Sequence, residues 1–346
     1  MTGPAARYSK PVGDIAPETA RIVREDAAML AHQREHTAVL AAQPARAACV
    51  LCGGPAAGER FRHRGLDCFE CAVCGQVQTV AQPPEGYPAS TGATFDWVYP
   101  DLDPVAYAAR RDRVYAPKLD WALEAMAENG IGRAEALRRR WLDLGAGAGY
   151  FLDALREAGC ADYTGVEANR ALAEAACRRL GEDRVRIEAG SLAEAIRRHG
   201  ADVVSAWFVF EHVEGGHAVW EAFADMPKGT LVLFAVPVFG LSSAFESAFG
   251  DHWARGLDGV VHTQLYTDRS IDWALRRGGL KPLAEWVFGQ DMVDIARLLA
   301  VRLGKAWPQS RIDALMGRLH AALDPLQGAV DRALLADARH ILAIRD

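Results

Sequence analysis

The chain has 346 residues, of which 50% are hydrophobic, and its 39 basic and 45 acidic residues give a net charge of −6. A chain of this length allows about two domains with a large buried core. The acidic balance and the lack of a basic stripe argue against a nucleic-acid partner. The longest apolar stretches, such as Thr230–Phe239, are too short to span a bilayer, and the N-terminus lacks a signal-peptide core. We therefore expect a soluble, cytoplasmic protein.

The N-terminal part of the chain is predicted to hold a helix and a cysteine-rich segment. Residues 1–17 carry Pro and Gly without periodicity, so we expect a loose arm there. Residues 18–43 have helical periodicity, and Pro44 ends the predicted helix. Pro and Gly are frequent again after the cysteines, as in a linker. The predicted units are an arm and helix over 1–45, a metal-binding segment over 46–82, and a linker over 83–104.

Five of the seven cysteines fall between residues 49 and 74, which in a cytosolic chain favours a metal site over disulfides. Two CxxCG motifs, Cys49–Gly53 and Cys71–Gly75, each place two thiolates on one tight turn. Together they supply the four sulfur ligands typical of a closed, structural Zn²⁺ site. An iron–sulfur cluster on the same cysteines stays an alternative. Cys68 is left out because no glycine follows it. The predicted ligands are Cys49, Cys52, Cys71 and Cys74.

From Trp141 onward, short apolar runs alternate with segments of helical periodicity. This alternation predicts an α/β fold, with a parallel sheet covered by helices on both faces. The C-terminal stretches Met292–Leu303 and Ile312–Ile344 are both predicted to be helical, and we group 291–346 as C-terminal helices that could serve a homodimer interface. The predicted strands are Trp141–Leu144, Tyr163–Glu167, Val185–Glu188, Asp202–Phe210, Thr230–Val236 and Pro282–Phe288.

The segment 141–151, WLDLGAGAGYF, indicates a nucleotide-binding turn between a strand and a helix. Its glycines lack a Cβ, so the turn can be tight and a ligand can approach the backbone closely. The Gly-x-Gly-x-Gly spacing differs from the Gly-x-Gly-x-x-Gly of dinucleotide enzymes, and this favours another adenosyl cofactor over NAD. Glu167 ends the next strand, 22 residues after Gly145, where its two oxygens can accept both ribose hydroxyls. Asp143 precedes the turn and is expected to orient the loop or the amino group of the ligand.

Four ordered elements resemble those of the class I S-adenosylmethionine (SAM) methyltransferases. They are DLGAGAG at 143–149, GVEAN at 165–169, DVVSAWFVFEHV at 202–213 and GTLVLFAVP at 229–237. The resemblance covers about residues 105–290 and implies a Rossmann-like, seven-stranded, mostly parallel sheet with a terminal reversed hairpin. It also implies the residues that bind SAM. These are Gly145, Ala146, Gly147 and Tyr150 on the methionine side, Glu167 at the ribose, Ser191 and Leu192 at the adenine, and Trp207 and Phe208 on the pocket floor.

A zinc-binding segment ahead of a SAM domain resembles a bacterial subgroup of methyltransferases that often act on sugars or in secondary metabolism. The segments 262–270 and 286–291 also resemble that subgroup. The resemblance implies methyl transfer from SAM to a hydroxyl or carbon of a small, sugar-like acceptor, as in carbohydrate biosynthesis. Two alternatives stay open. One is a zinc-knuckle-guided methyltransferase of RNA or protein, and the other is a non-catalytic SAM-binding scaffold.

Methyl transfer is an in-line displacement in which the enzyme positions the acceptor and a base removes its proton where needed. Histidine suits that role near neutral pH. His212 follows the fourth strand, next to the expected methyl group, and His262 lies in the segment expected to cover the substrate. We predict His262 and His212 as catalytic residues, followed by Tyr266. The loop 239–261, which contains His252 and Asp258, is predicted to be a lid.

Overall fold

A computed structural model describes residues 4–15, 19–84, 103–188, 190–259 and 261–346. The predicted linker, 83–104, lies almost wholly outside the described residues. The strands are β1 Ala5–Tyr8, β2 Gly58–His63, β3 Leu66–Cys71, β4 Val77–Thr79, β5 Trp141–Leu144, β6 Tyr163–Glu167, β7 Val185–Ile187, β8 Val203–Trp207, β9 Leu231–Pro237, β10 Gln264–Leu265, β11 Leu280–Val287 and β12 Ala338–Arg345. The α-helices are Val12–Ile15, Thr19–Ala41, Pro104–Arg110, Ala116–Glu128, Arg133–Ala136, Tyr150–Glu157, Arg170–Leu180, Leu192–His199, His217–Ala224, Leu241–Ala248, Asp268–Arg277, Asp291–Leu303 and Gln309–Arg332. A π-helical turn spans Arg111–Tyr115, and a 3₁₀ turn spans Phe210–His212.

The central sheet has the strand order β1-β11-β12-β9-β8-β5-β6-β7. Its strand pairs are parallel except where β12 runs antiparallel to both β9 and β11. The predicted α/β class and the mostly parallel sheet are therefore confirmed. The predicted number of seven strands is wrong, because β1 adds an eighth strand at the edge beside β11.

The N-terminal arm is the source of the extra strand. Residues 5–8 pair in parallel with residues 284–287, and Ser9 N–H continues the pairing to the carbonyl of Val287 at 2.9 Å. The prediction of a loose arm is therefore wrong for these residues. Four residues are too few to show a period of two, and their hydrogen-bond partners lie almost 280 residues away in the chain. Only the open edge of β11 makes this segment a strand.

The C-terminal residues are the second departure from the predicted elements. The helix Gln309–Arg332 ends well before Ile344, and residues 338–345 form β12 between β9 and β11. The prediction of helix up to Ile344 is therefore wrong. Residues 338–343 are buried on both faces of the sheet, so they lack the alternation that marks a strand. The sheet consequently depends on residues beyond the predicted 105–290 unit.

The cysteine-rich segment forms a lobe with its own antiparallel sheet, in the order β10-β4-β3-β2. Strand β10 comes from the methyltransferase-like part of the chain and pairs with β4. Arg46, whose side chain is 3% exposed, forms a 2.6 Å ion pair with Glu214, which follows the 3₁₀ turn. Gly216 N–H donates to the carbonyl of Val50 at 2.7 Å. The lobe is thus joined to the carboxyl edge of the central sheet by backbone pairing and by a buried charge.

The loop after helix Leu241–Ala248, described over residues 249–259 and 261–263, is held by charged and polar contacts from several helices. Asp26 accepts a hydrogen bond from Trp253 N–H at 2.9 Å and lies 3.4 Å from Arg297. Arg255 pairs with Asp294 at 2.7 Å and also with Asp337. The loop, held in this way, forms one wall of a cavity at the carboxyl edge of the central sheet.

Candidate active site

A cavity of about 550 Å³ lies at the carboxyl edge of the central sheet. It is walled by residues that follow β5, β8, β9 and β11, because the carboxyl ends of parallel strands meet at one edge of a sheet. Helix Ala116–Glu128 and the loop 249–263 close other sides. Lining residues from these elements include Lys118, Tyr150, Trp207, Phe208, Glu211, His212, Val238, Arg255, His262 and Phe288.

The glycine turn after β5 has the backbone conformation that its sequence predicts. Gly145 has a φ of +63°, and a Cβ on it would lie 2.7 Å from Val209 Cγ2, so only glycine fits without a shift. Gly147 N–H donates to Glu167 Oε2 at 2.7 Å. Asn169 N–H donates to Glu167 Oε1, also at 2.7 Å. Burial raises the pKa of Glu167, and these backbone donors partly offset the rise. Both predicted SAM elements, the turn and the acid, therefore meet at the ends of β5 and β6.

Asp143 and Ala146 lie beneath the turn and do not reach the cavity. Asp143 is 2% exposed and accepts a 2.6 Å hydrogen bond from Ser205 Oγ. Burial raises the pKa of Asp143 to about 7, while the Ser205 hydroxyl lowers it. Ala146 is also buried, and its N–H donates to the carbonyl of Val166 at 3.0 Å. Of the two roles predicted for Asp143, this geometry favours support of the loop.

Ser191 and Leu192, the predicted adenine contacts, begin the helix that follows β7. Ser191 is the N-cap of helix Leu192–His199, and its Oγ accepts from Glu194 N–H at 3.2 Å. Leu192 is partly buried against the core. Neither residue lines the 550 Å³ cavity, so the predicted adenine contacts and the cavity lie at different parts of the sheet edge.

Tyr150 is the one predicted methionine-side residue that lines the cavity, together with the predicted floor residues Trp207 and Phe208, whereas Gly145 and Gly147 are not among the lining residues. Tyr150 stacks on Tyr107 at 4.3 Å between ring centroids and on Tyr115 at 5.4 Å. Trp207 ends β8, and Phe208 after it has a φ of +58°, a strained conformation for an aromatic residue. Phe208 is 37% exposed and lines the cavity.

Lys118 is a cavity residue that the sequence reasoning missed. Its ammonium lies 5.0 Å from the centroids of both the Trp207 and the Phe208 rings, and the residue is 3% exposed. Burial lowers the pKa of Lys118 to about 7, with smaller contributions from the cations Lys10 and Arg110. A signal was present in the sequence. Lys118, Ala122 and Ala125 are spaced i, i+4, i+7, so a cation stands on the apolar face of its helix.

Glu211, His212 and His262 form the polar corner of the cavity, with one donor atom of each within 4.8 Å of the others. The two histidine rings stack at 5.0 Å between centroids. Burial raises the pKa of Glu211 to about 8. Desolvation and the neighbouring His262 both lower the pKa of His212, although its side chain is 35% exposed. The two histidines predicted as catalytic thus meet in space, although 50 residues separate them in the chain.

Tyr266 and His252, also considered from the sequence, do not line the cavity. Leu265 on β10 faces the cavity, and successive residues of an extended chain point to opposite sides. Tyr266 is consequently 1% exposed in the core shared with the cysteine lobe, and burial raises its pKa far above the usual range. His252 is also 1% exposed, and burial lowers its pKa to about 4.

The four cysteines of the CxxCG motifs converge in the lobe. Cys49 and Cys74 have their sulfurs 3.6 Å apart, and the sulfurs of Cys52 and Cys71 are 3.8 Å apart. All four sulfurs lie within 4.8 Å of one another, a spacing suited to a single metal ion. Gly53 and Gly75 close the two turns with φ values of +69° and +80°.

Cys68 does not join the cysteine cluster. It lies three residues from Cys71 on β3, so the two side chains point to opposite faces of the strand. Cys68 packs instead among Leu40, Leu66 and Leu257, and burial raises the pKa of its thiol to about 12.

Comparison with known proteins decides the family. A family model described as a methyltransferase domain matches residues 107–285, which is more than half of the chain. The chain belongs to this methyltransferase family. The enzyme class expected from the sequence, a SAM-dependent methyltransferase, is confirmed by that match.

Several solved methyltransferase structures are similar to this chain at low sequence identity. The magnesium protoporphyrin IX methyltransferase of Synechocystis PCC 6803 with bound SAH has 14% identity and a TM-score of 0.43, covering 76% of this chain and 97% of that one. A SAM-dependent methyltransferase from Archaeoglobus fulgidus has 15% identity and a TM-score of 0.41, with coverages of 73% and 99%. One from Mesorhizobium loti has 16% identity and a TM-score of 0.39, with coverages of 60% and 91%. No curated protein sequence matches significantly. None of the described helices is long and apolar enough to cross a membrane.

Proposed function

We propose that this methyltransferase transfers the methyl group of SAM to a hydroxyl or carbon of a small, sugar-like acceptor bound in the cavity. One observation carries the proposal. Tyr150, Trp207 and Phe208, expected on the SAM side, and His212 and His262, expected on the acceptor side, line the same cavity. A site for methyl transfer needs this juxtaposition, because the acceptor atom must approach the methyl carbon in line with the sulfonium sulfur.

In this proposal SAM lies across the ends of β5 and β6. Glu167 would exchange one or both of its backbone donors for the ribose hydroxyls, since its two oxygens already sit at the glycine turn. The methionine part would extend past the turn toward Tyr150, and the adenine toward Ser191 and Leu192. The methyl group would then point to the cavity floor at Trp207 and Phe208.

We assign activation of the acceptor to His212 and His262. In the reaction the acceptor atom bonds to the methyl carbon, the bond to sulfur breaks, and the electron pair of that bond stays on sulfur. A hydroxyl or carbon-acid acceptor must also give up a proton. The two histidines present ring nitrogens at the acceptor side of the cavity, where that proton would be lost. Tyr266 is left out because it lies outside the cavity.

The size and walls of the cavity support a small, polar acceptor. Its volume of about 550 Å³ is typical of small-molecule sites. Aromatic rings form one side, suited to the apolar face of a sugar. The basic residues Lys10, Arg113 and Lys118 also line the cavity and would favour an acceptor with an anionic part, such as a nucleotide-linked sugar.

We further propose that Cys49, Cys52, Cys71 and Cys74 bind a structural Zn²⁺. Four thiolates complete a tetrahedral shell and leave no open position, so the ion would not take part in the reaction. The sulfur spacing and the Gln78 amide, which donates to Cys49 Sγ at 3.0 Å, support a bound cation with an ordered outer shell. Metal analysis should find about one zinc per chain at this site. Absorption bands of an iron–sulfur cluster would contradict the zinc assignment.

The deciding experiment is methyl incorporation from labelled SAM. The full chain would be incubated with a panel of nucleotide sugars and, in parallel, with total RNA and a protein extract. We expect label in the sugar fraction and formation of an equal amount of SAH. Label in RNA or protein alone would contradict the acceptor class. SAM binding by calorimetry without transfer to any fraction would favour a non-catalytic scaffold.

A further inference from the structure

The polar corner of the cavity contains a buried carboxylate for which the described residues provide no hydrogen-bond partner. Glu211 is 1% exposed, and neither of its carboxyl oxygens has a hydrogen-bond partner among the described residues. The nearest basic atom is His212 Nε2, at 3.9 Å from Oε1. A buried carboxyl group without partners is costly, so its presence in a cavity wall points to a ligand that satisfies it.

The two histidines beside Glu211 are held in a defined tautomer by backbone carbonyls. His212 Nδ1 lies 3.2 Å from the carbonyl oxygen of Val261. His262 Nδ1 lies 3.1 Å from the carbonyl of Arg255 and 3.0 Å from that of Gly256. A carbonyl can only accept, so Nδ1 must carry the hydrogen in both rings. In the neutral form of either ring, the lone pair is therefore on Nε2.

This arrangement is the one that metal-binding histidines adopt. A histidine that ligates through one nitrogen commonly donates its other N–H to a backbone carbonyl, which fixes the ring orientation. Here two such histidines and one carboxylate have donor atoms within 4.8 Å of one another. A set of two imidazoles and one carboxylate suits divalent transition metals such as Mn²⁺, Fe²⁺, Ni²⁺ or Zn²⁺, whereas Mg²⁺ and Ca²⁺ prefer oxygen ligands alone.

We propose that Glu211, His212 and His262 together bind one divalent transition-metal ion in the wall of the cavity. Three protein ligands leave coordination positions open, in contrast to the four of the cysteine cluster. All three residues line the cavity, so the open positions face the space for the acceptor. An acceptor with two neighbouring oxygens, such as a vicinal diol or a hydroxy-carbonyl group, could chelate the ion there. With the metal bound, both Nε2 lone pairs are occupied, so the ion would take over from the histidines and promote loss of the acceptor proton as a Lewis acid. The metal site stands on these side chains alone, whereas its role in holding the acceptor rests on the proposed function.

The test measures binding of Mn²⁺ alone to the full-length protein by electron paramagnetic resonance, after dialysis against a mild chelator. Mn²⁺ is the weakest competitor for thiolates, so the zinc of the cysteine cluster should stay in place, and its content is checked by mass spectrometry. We expect about one Mn²⁺ per chain at this three-ligand site. We also expect at least tenfold weaker binding by Glu211→Gln and by His262→Ala. His320→Ala, at an exposed histidine outside the cavity, should bind like the native protein.

SAM affinity, measured by calorimetry, shows whether each variant is folded and separates this proposal from the proposed function. If neither Mn²⁺ nor the tighter-binding Ni²⁺ binds at this site, the metal proposal is overturned, and methyl transfer that persists after chelation would leave the proposed function intact. Unchanged Mn²⁺ binding by a folded Glu211→Gln variant would overturn it as well. Metal binding that depends on the three residues, in a protein that methylates no acceptor, would support the metal site and contradict the proposed function.

Discussion

The cysteine cluster and the polar corner of the cavity both bring together side chains that can bind a metal ion, but they do so in opposite ways. In the lobe, four sulfurs face one another, and Gln78 and tight glycine turns surround them. In the cavity, Glu211 has no hydrogen-bond partner among the described residues, and Lys118 is buried against aromatic rings. The four sulfurs of the cluster face one another and the Gln78 amide, whereas the Glu211 carboxylate faces no hydrogen-bond partner in the described part of the chain and is left for a ligand. We infer that the cysteine cluster contributes to the stability of the fold, whereas the polar corner lowers stability in order to bind a ligand.

The largest expected effect is in the lobe. Cys74→Ser removes one of the four proposed zinc ligands at a position that also belongs to the main core, so zinc binding should be lost. We expect the free energy of unfolding to fall by about 4 kcal/mol or more, as for other losses of a structural metal. Thermal unfolding and zinc content measure the two effects. Cys68→Ala is the matched control and should keep its zinc. A Cys74→Ser protein with native zinc content and stability would contradict a stabilising metal site at the cysteine cluster.

The next effect is on cofactor binding, which lies outside both regions. Glu167→Ala removes the carboxylate that links the glycine turn to β6 and that we assign to the ribose hydroxyls. SAM affinity should fall at least tenfold, because hydrogen bonds to a charged group contribute about 1.5–3 kcal/mol each. Calorimetry measures the affinity, and Glu174→Ala, on the exposed side of the following helix, is the control. Equal affinities of the two variants would remove Glu167 from the cofactor site.

In the cavity, His262→Ala should lower the rate of methyl transfer at least tenfold, which corresponds to about 1.4 kcal/mol in the barrier. SAM affinity should stay near normal, because we assign His262, which lines the cavity, to the acceptor and not to SAM. Single-turnover kinetics with the true acceptor would measure the rate. An unchanged rate would remove His262 from the catalytic set and leave the polar corner without a chemical role.

The smallest expected effect concerns Lys118 and the pH dependence of stability. Burial lowers its pKa to about 7 from the ordinary 10.5, so between these values the unfolded chain binds more protons than the folded one. The cost of burying Lys118 is therefore largest below pH 7 and fades as the pH rises to about 10.5. Lys118→Met should raise the melting temperature at pH 7 by a few degrees, and the gain should shrink toward pH 10. Lys281→Met, at an exposed lysine, should show neither effect.

Most of the helices and strands between Trp141 and Val287 could be predicted because each has a local signal. The strands Trp141–Leu144 and Tyr163–Glu167 were predicted with the boundaries that the structure has. The errors fall at the two ends of the chain. β1 is too short to carry a period, and β12 is buried on both faces, so its pattern resembles that of a buried helix. Both become strands only through partners distant in sequence.

The residues of the candidate site were likewise predicted where a local pattern marks them and missed where only the fold brings them together. The glycine turn, Glu167 and the CxxCG cysteines could be identified because their spacing in the chain mirrors their spacing in space. Lys118 was not predicted, because its helix precedes the glycine turn in the chain and only the folded structure brings it to the cavity. Tyr266 was misplaced because the side to which an extended residue points depends on register, which β10 sets by pairing with β4.

Local spacing in the chain indicates the cofactor class and predicts the cysteine ligands, since both depend on glycines and cysteines at short, fixed intervals. Tertiary structure alone decided that β12 completes the sheet, that the cysteine lobe shares a core with it, and that Glu211, His212 and His262 meet in one corner. The physical reason is the range of the interactions. A tight turn is specified by its own few residues, whereas a cavity is formed by segments that only long-range strand pairing and buried ion pairs bring together.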